Sequence, residues 1–300
     1  MEIGVGLPTN LDGADRDGML EWAIRAEQLG FSALAVTDRL AGATWDPIVA
    51  LAAAAAVTTR CRLLTNVLVV PSRGSAGALA KQLLTLDVVS EGRLVVGVGA
   101  GDRADDYRIG GQPMERRHRR LDEMLDTMRA IWRGATPDLP EIGPRRADGA
   151  PSLLVGGRSA STFRRAARHG AGWTVGISSP DDVRAGVGEL RSAWAMADRP
   201  GNPRVVALTY YGLGASAPEV TPDYLRRYYA FIGPAAELVA TAAPTDSEAI
   251  RRAIDAFADA GADELVFLPT LRGSDQLDLL ASAALDAQPS GADNAPHGRG

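Results

Sequence analysis

The chain has 300 residues, 46% of them hydrophobic and 23% charged, with a formal net charge of −5. That length suits one large α/β domain or two small ones with a sizeable core, and the basic residues are scattered among acidic ones, which argues against a nucleic-acid partner. Met1 to Gly6 show no basic segment leading into an apolar one, and no apolar run reaches the length of a membrane span, so a cytoplasmic, non-membrane protein is expected.

Apolar runs rich in Val, Leu and Ile predict strands at Ile3–Leu7, Ala33–Thr37, Arg62–Val70, Arg93–Val98, Ser152–Val155, Gly172–Val175, Val205–Tyr211 and Glu264–Leu268. Helix-period stripes alternate with them: Met19, Trp22, Ala23 and Ala26; then Leu121, Met124, Leu125, Met128, Ile131 and Trp132; then Ile250, Ala253, Ile254 and Phe257. Eight βα units are the number of a TIM barrel, here a single domain over 1–287. Asp46-Pro47, Ser179-Pro180 and Thr221-Pro222 read as helix starts, and Thr245-Asp246-Ser247-Glu248 as a capping box. Two stretches interrupt the alternation, 102–117 and 136–151, and both are expected as long insertions at the barrel mouth. The tail from 288 to 300 has nothing to bury and is expected to be disordered. The lone Cys61 opens an apolar run and reads as a buried structural thiol.

The most informative stretch is Gly92 to Asp102, in which an apolar strand runs into Gly97, Gly99 and Gly101; Val155-Gly156-Gly157-Arg158-Ser159 repeats the arrangement downstream. Glycines at a strand's carboxyl end let backbone N–H groups approach a phosphate or a flat ring. Gly99-Ala100-Gly101-Asp102-Arg103-Ala104 formally fits a dinucleotide fingerprint, but Gly110, Gly111 and Pro113 follow too soon for the helix that pattern requires. At Gly156–Ser159, free N–H groups, a helix dipole, a hydroxyl and a guanidinium converge, which suits a phosphate; a tight turn with Ser159 as a simple cap accounts for the same residues. The three histidines lie far apart and no G-x-S-x-G is present, so neither a metal site nor a serine hydrolase can be written.

In order and spacing, several segments together resemble the bacterial luciferase-like superfamily of flavin- and deazaflavin-dependent oxidoreductases. They are Gly4-Val5-Gly6-Leu7-Pro8, Ala26 to Phe31 leading to Val36-Thr37-Asp38-Arg39-Leu40, Leu83 to Arg93, Gly156 to Ser159, and Arg164 to Trp173. The resemblance implies a TIM barrel whose flat cofactor lies at the carboxyl mouth. The phosphate is then held at Gly156, Gly157, Arg158 and Ser159, with Ala100, Gly101, Asp102 and Gly176 also at the cofactor. Asn66 and Val67, joined by a cis peptide bond, back the ring.

Asp38-Arg39 stands where many relatives have an acid–histidine pair, and an arginine cannot serve as a general acid near neutral pH. The implied catalytic group is therefore Asp38 as base or acceptor, Arg39 as an electrostatic or positioning group, and Trp45 as a pocket wall. Pairing of Asp38 with Arg39 at the rim, and packing of Trp45 on the outer helices, are the structural alternatives. Ala171 stands where relatives often carry aspartate. Coenzyme F420 is the favoured cofactor, giving hydride transfer to or from a small organic molecule. Arg73, Arg103, Arg108, Arg116 and Arg117 are then available to its anionic tail. FMN with oxygen, in a monooxygenase, is the alternative, and a barrel that binds a flavin without turnover is a third. A homodimer and a reductase that supplies the reduced cofactor complete the implied partners.

Overall fold

A computed structural model describes residues 1–136 and 140–285. The domain end expected at 287 and the tail expected over 288–300 lie outside the described residues. The elements in order are β1 (Glu2–Gly6), α1 (Arg16–Leu29), β2 (Ala33–Val36), α2 (Pro47–Ala55), β3 (Arg62–Val69), α3 (Ala76–Val89), β4 (Leu94–Gly99), α4 (Ala104–Ile109), α5 (Arg117–Trp132) and β5 (Ser152–Gly156). They continue with α6 (Ala160–His169), β6 (Gly172–Val175), α7 (Pro180–Met196), β7 (Arg204–Tyr211), α8 (Ala217–Tyr228), α9 (Ala235–Ala242), α10 (Ser247–Asp259), β8 (Glu264–Pro269) and α11 (Asp275–Ala284).

The eight strands close into one barrel, each pairing with the next and β8 returning to β1 in parallel register, Val5 opposite Phe267. This is the TIM barrel expected from the sequence, and every strand end falls within one residue of its predicted place. Alternation along the strands builds two apolar layers. Val206, Leu208 and Tyr210 of β7 turn into the lumen with Leu64, Leu154 and Val266. Val205, Ala207 and Tyr211 turn outward to the layer beneath the helices, where Trp22 and Trp173 are buried. The stripes on α1 and α5 are buried as predicted, while on α10 Ile250 and Phe257 are buried and Ala253 and Ile254 only half-buried. Charge closes the amino end of the barrel: Glu264, 2% exposed, accepts from Arg62 at 3.0 Å and from Arg204 at 2.8 Å, and both arginines also reach Glu2.

Four local expectations are corrected. Thr221-Pro222 does not start a helix: α8 begins at Ala217 with Pro218 in its first turn, and Pro222 lies inside it. The Thr221 hydroxyl, read as a cap, lies instead 2.7 Å from the hydroxyl of Thr270, a tertiary contact invisible to local reading. The cap of α10 is Asp246, accepting from the Ala249 N–H at 2.7 Å, rather than a box based on Thr245. The 102–117 stretch contains α4, formed where Asp106 and Tyr107 find buried partners.

The described part of 136–151 is not at the mouth. It follows a helix and precedes a strand, and that connection in a βα barrel arrives at the amino end. There Arg146 abuts Gly92 and lies 3.8 Å from Asp87, and Lys81 donates to the Gly143 carbonyl at 3.0 Å. The insertion that does shape the mouth is α8 and α9, placed between β7 and α10.

Candidate active site

A cleft of about 1800 Å³ opens at the carboxyl ends of β3 to β7. Single-ligand pockets run to roughly 300–1,000 Å³, so this one has room for two molecules. Its wall takes Val67 from β3, Gly99 to Asp102 after β4, Gly156 to Ser159 after β5, Gly176 after β6, and Thr209 and Tyr210 from β7. Of the thirteen site residues named from sequence, nine lie in this wall: Val67, Ala100, Gly101, Asp102, Gly156, Gly157, Arg158, Ser159 and Gly176.

The Asn66–Val67 peptide is cis, and the pairing of β3 with β4 shifts there, between Thr65 and Leu68. Val67 fills the space that two glycines leave. A Cβ on Gly99 would lie 2.7 Å from one Val67 methyl, and a Cβ on Gly156 2.7 Å from the other. These glycines therefore admit a protein side chain first, and their bareness toward a ligand is secondary. At Gly97 a Cβ would come 2.1 Å from the Thr65 carbonyl oxygen, so that glycine serves strand packing. Gly176 differs: nothing stands within 4 Å of the position its Cβ would take.

At the head of α6, Ser159 acts as the helix cap, its hydroxyl accepting from the Thr162 N–H at 3.3 Å. Gly157 has φ +127°, a conformation that L side chains rarely adopt, and its carbonyl accepts from the Trp173 indole at 2.7 Å. The turn is thus fixed by its neighbours. Arg158 is exposed and donates to the Ile177 carbonyl across the cleft edge. Arg165, 6% exposed, anchors α6 to α5 by two bonds to Asp122, at 2.5 and 3.0 Å.

Asp38, Arg39, Trp45 and Asn66 do not line the cleft. Nor do Asp38 and Arg39 pair with each other. Asp38, 6% exposed, accepts from the Val69 N–H at 2.8 Å and from Arg73 at 2.6 and 3.1 Å. Arg39 pairs with Asp106 at 2.9 Å and Asp105 at 2.8 Å, while Asp106 also accepts from the N–H groups of Leu40 and Ala41. Burial disfavours the Arg39 charge, but Asp106 and Asp105 more than restore it, so the guanidinium is held firmly protonated. Two carboxylate–guanidinium clamps thus fix the loops after β2, β3 and β4 to one another. Trp45 is half-buried against the outer apolar layer. The Asn66 amide oxygen accepts from the Thr174 hydroxyl at 2.8 Å, and its nitrogen has no partner among the described residues.

The arginines expected at the mouth divide. Arg73 is consumed by Asp38 and Asp46, Arg103 stacks on Phe231 and Tyr228, Arg117 lies 3.6 Å from Asp102, and Arg108 and Arg116 are exposed. Cys61 is buried, donates to the Phe31 carbonyl, and is pushed up to about 11 by burial, the state of an inert thiol. The wall residues not anticipated are Tyr210, Tyr229, Phe231, Leu238, His118 and Arg165. One signal was present in the sequence: Tyr210, Tyr211, Tyr224, Tyr228 and Tyr229 are five of the six tyrosines, crowded into one short stretch.

A closed parallel barrel with a ligand-sized cleft at its carboxyl end defines the class as a (β/α)8 protein with its site in the βα loops. The family model for luciferase-like monooxygenases matches residues 1–277, and the chain belongs to that family. An uncharacterised protein of Mycobacterium tuberculosis is 39% identical over 177 residues, 55% of this chain and 61% of that protein. An F420-dependent glucose-6-phosphate dehydrogenase of Kribbella flavida is 26% identical over 151 residues, 47% of this chain and 45% of that enzyme. The chain therefore spans about three fifths or less of these curated relatives. Among solved structures, an F420-dependent secondary alcohol dehydrogenase in complex with an F420–acetone adduct superposes with a TM-score of 0.78 at 17% identity, over 96% of this chain and 99% of that one. At that identity the likeness is one of fold. No helix among the described residues is long and apolar enough to cross a membrane.

Proposed function

We propose that the chain is an oxidoreductase that binds the deazaflavin F420 in this cleft and works with it in hydride transfer to or from a small organic substrate. The observation that carries the reading is the cleft itself, roomy enough for two molecules, with Val67 seated between Gly99 and Gly156 in its wall. A small apolar side chain flanked by bare backbone is a seat on which a flat heterocycle can lie. Gly176 supports the same occupant, since its backbone is bare toward open space. The residues present fit such a group.

Each part of the chain then has a task. Val67, seated against Gly99 and Gly156, sets the depth to which a ring can enter. The first turn of α6, capped by Ser159, offers backbone N–H groups and the positive end of a helix dipole to a phosphate. Exposed Arg108, Arg116 and Arg158 supply positive potential for an acidic tail. Asp38 and Arg39 act at one remove, as positioning residues that hold the mouth loops. When bound, the deazaflavin supplies a centre that carries two electrons as hydride. A reductase that returns the cofactor to its reduced form and a homodimeric assembly belong to the same reading. Its preference for F420 draws on the relative of that dependence and on the rim arginines.

Titration of the cofactor-free protein with F420 and with FMN, each followed by its own fluorescence, tests the proposal. Saturable F420 binding at least tenfold tighter than FMN is expected. Tighter FMN binding would replace hydride transfer by flavin-dependent oxygenation, and binding of neither would overturn the reading.

A further inference from the structure

Tyr210 is the last lumen-facing residue of β7, directly below the cleft, and is 3% exposed. The segment after α8 lays Tyr229 on it edge to face, with ring centroids 5.9 Å apart and the two hydroxyls 3.2 Å apart. Both side chains line the cleft. Two phenols carry two protons, and only one proton can lie between their oxygens. Neither hydroxyl has another hydrogen-bond partner among the described residues. One O–H of the pair is therefore left for whatever occupies this end of the cleft.

The wall there defines the occupant. Phe231, Ile232, Leu238, Val239 and Phe257 line the same cleft, and Leu238 remains 74% exposed. The nearby cations are engaged elsewhere: Arg252 pairs with Glu248 at 2.6 Å, and Arg103 packs on the Phe231 ring at 3.7 Å and donates to the Tyr228 carbonyl at 2.8 Å. Beside Phe231 and Leu238, away from the α6 turn, an anion would lose water without a free cation to pair with, whereas an apolar molecule with one neutral acceptor meets what it needs.

We infer that the Tyr229–Tyr210 hydroxyl pair binds the carbonyl oxygen of an uncharged, mainly apolar organic substrate. The inference deepens the oxidoreductase reading and rests on it for its chemistry, though not for the binding itself. In the reducing direction, a bound reduced deazaflavin would supply hydride to the carbonyl carbon, and the π electron pair of C=O would pass to oxygen. The phenolic proton then bonds to that oxygen, and the phenolate recovers a proton from solvent in the cleft. Burial, with the neighbouring phenols, holds both hydroxyls above the ordinary phenol range. They enter the step protonated. With Asp38 and Arg39 locked in their clamps, this pair takes the place of an acid at the end of β2.

The test uses 2-acetylnaphthalene and 2-isopropenylnaphthalene, which differ in C=O against C=CH2, together with 2-naphthoate as an anion, in equilibrium dialysis with the full cofactor-free chain. The ketone is expected to bind about tenfold tighter than the alkene, one hydrogen bond's worth, and the naphthoate weakest. Tyr229→Phe should erase the ketone preference and leave alkene affinity unchanged, with Tyr210→Phe reducing it and unfolding midpoints confirming that both variants fold. Equal affinities in the parent, a preference that survives both substitutions, tightest binding of naphthoate, or no ketone binding would each overturn the inference. F420 titration of the same three proteins separates the two readings: failure of the parent to bind F420 sinks the cofactor, and the ketone preference stands or falls without it.

Discussion

A single position separates a bare backbone meant for a ligand from one needed for packing. Gly99 and Gly156 are closed to side chains by Val67, but Gly176 has empty space where a Cβ would go. Gly176→Val should therefore fold with an unchanged unfolding midpoint and weaken F420 binding at least tenfold in a fluorescence titration. Asp38 leads to the opposite expectation. Asp38→Asn removes charge-assisted bonds to Arg73 and should cost about 1.5–3 kcal/mol of stability in denaturant unfolding, with F420 affinity within threefold of the parent. Lost affinity at full stability would show that the carboxylate touches the cofactor. From sequence, Asp38 and Gly176 both stood at strand ends on the catalytic side, and that much was legible. Their different tasks were not, because Asp38 takes its partner 35 positions away.

Among the elements, α8 and α9 form a wall of the cleft held to the rest of the molecule by specific side-chain ties, Thr221 to Thr270 among them. Arg103 is one of them, stacked on Phe231 and Tyr228 and bonded to the Tyr228 carbonyl. Such stacking contributes about 0.5–2 kcal/mol, depending on desolvation. Arg103→Ala should raise amide exchange over 217–242 several-fold while the barrel strands keep their protection, a local opening rather than global unfolding. Equal acceleration in β7 and β8 would mean that the segment and the barrel form one cooperative unit. This excursion escaped sequence reading because its helices carry the same apolar periodicity as any helix of a βα unit. Only their placement between β7 and α10 makes them a wall.

For the molecule as a whole, the ion-paired Glu2 and Asp122 and the histidines near α5 set the response to acid. Burial works to raise the Glu2 carboxyl, but Arg204 and Arg62 outweigh it and hold it below the usual 4.5. The Arg165 hydrogen bond holds Asp122 below 3.8. Burial also holds His118 and His169 below 6.5, with Arg117 and Arg165 adding to it at His118. In each case the unfolded chain binds protons at a higher pH than the folded one. Stability is therefore full above the unfolded value and falls as pH drops, first below about 6.5 and again below about 4.5. Asp87, raised by burial, opposes this trend slightly. Unfolding midpoints measured from pH 8 to pH 3 should decline in those two steps, and a flat profile would refute the assignment. Glu264→Gln should lower the midpoint at pH 7, because Arg62 and Arg204 lose a buried partner; the cost is about 3 kcal/mol, the low end for such pairs, since Glu2 remains.

The sequence by itself determined the barrel, its eight strands, the burial of its helix stripes and the loops in which a site must lie. Those features are written in short-range patterns: two-residue alternation, helical period, and glycine at strand ends. The tertiary structure alone decided the rest. It sent Arg39 to Asp106, 67 positions away, brought Tyr229 onto Tyr210, seated Val67 against two glycines, and carried the 136–151 connection to the closed end. A charged or polar side chain has several eligible partners in a sequence of this composition. Which one it meets depends on how the closed barrel orders its loops in space, and no local pattern encodes that distance.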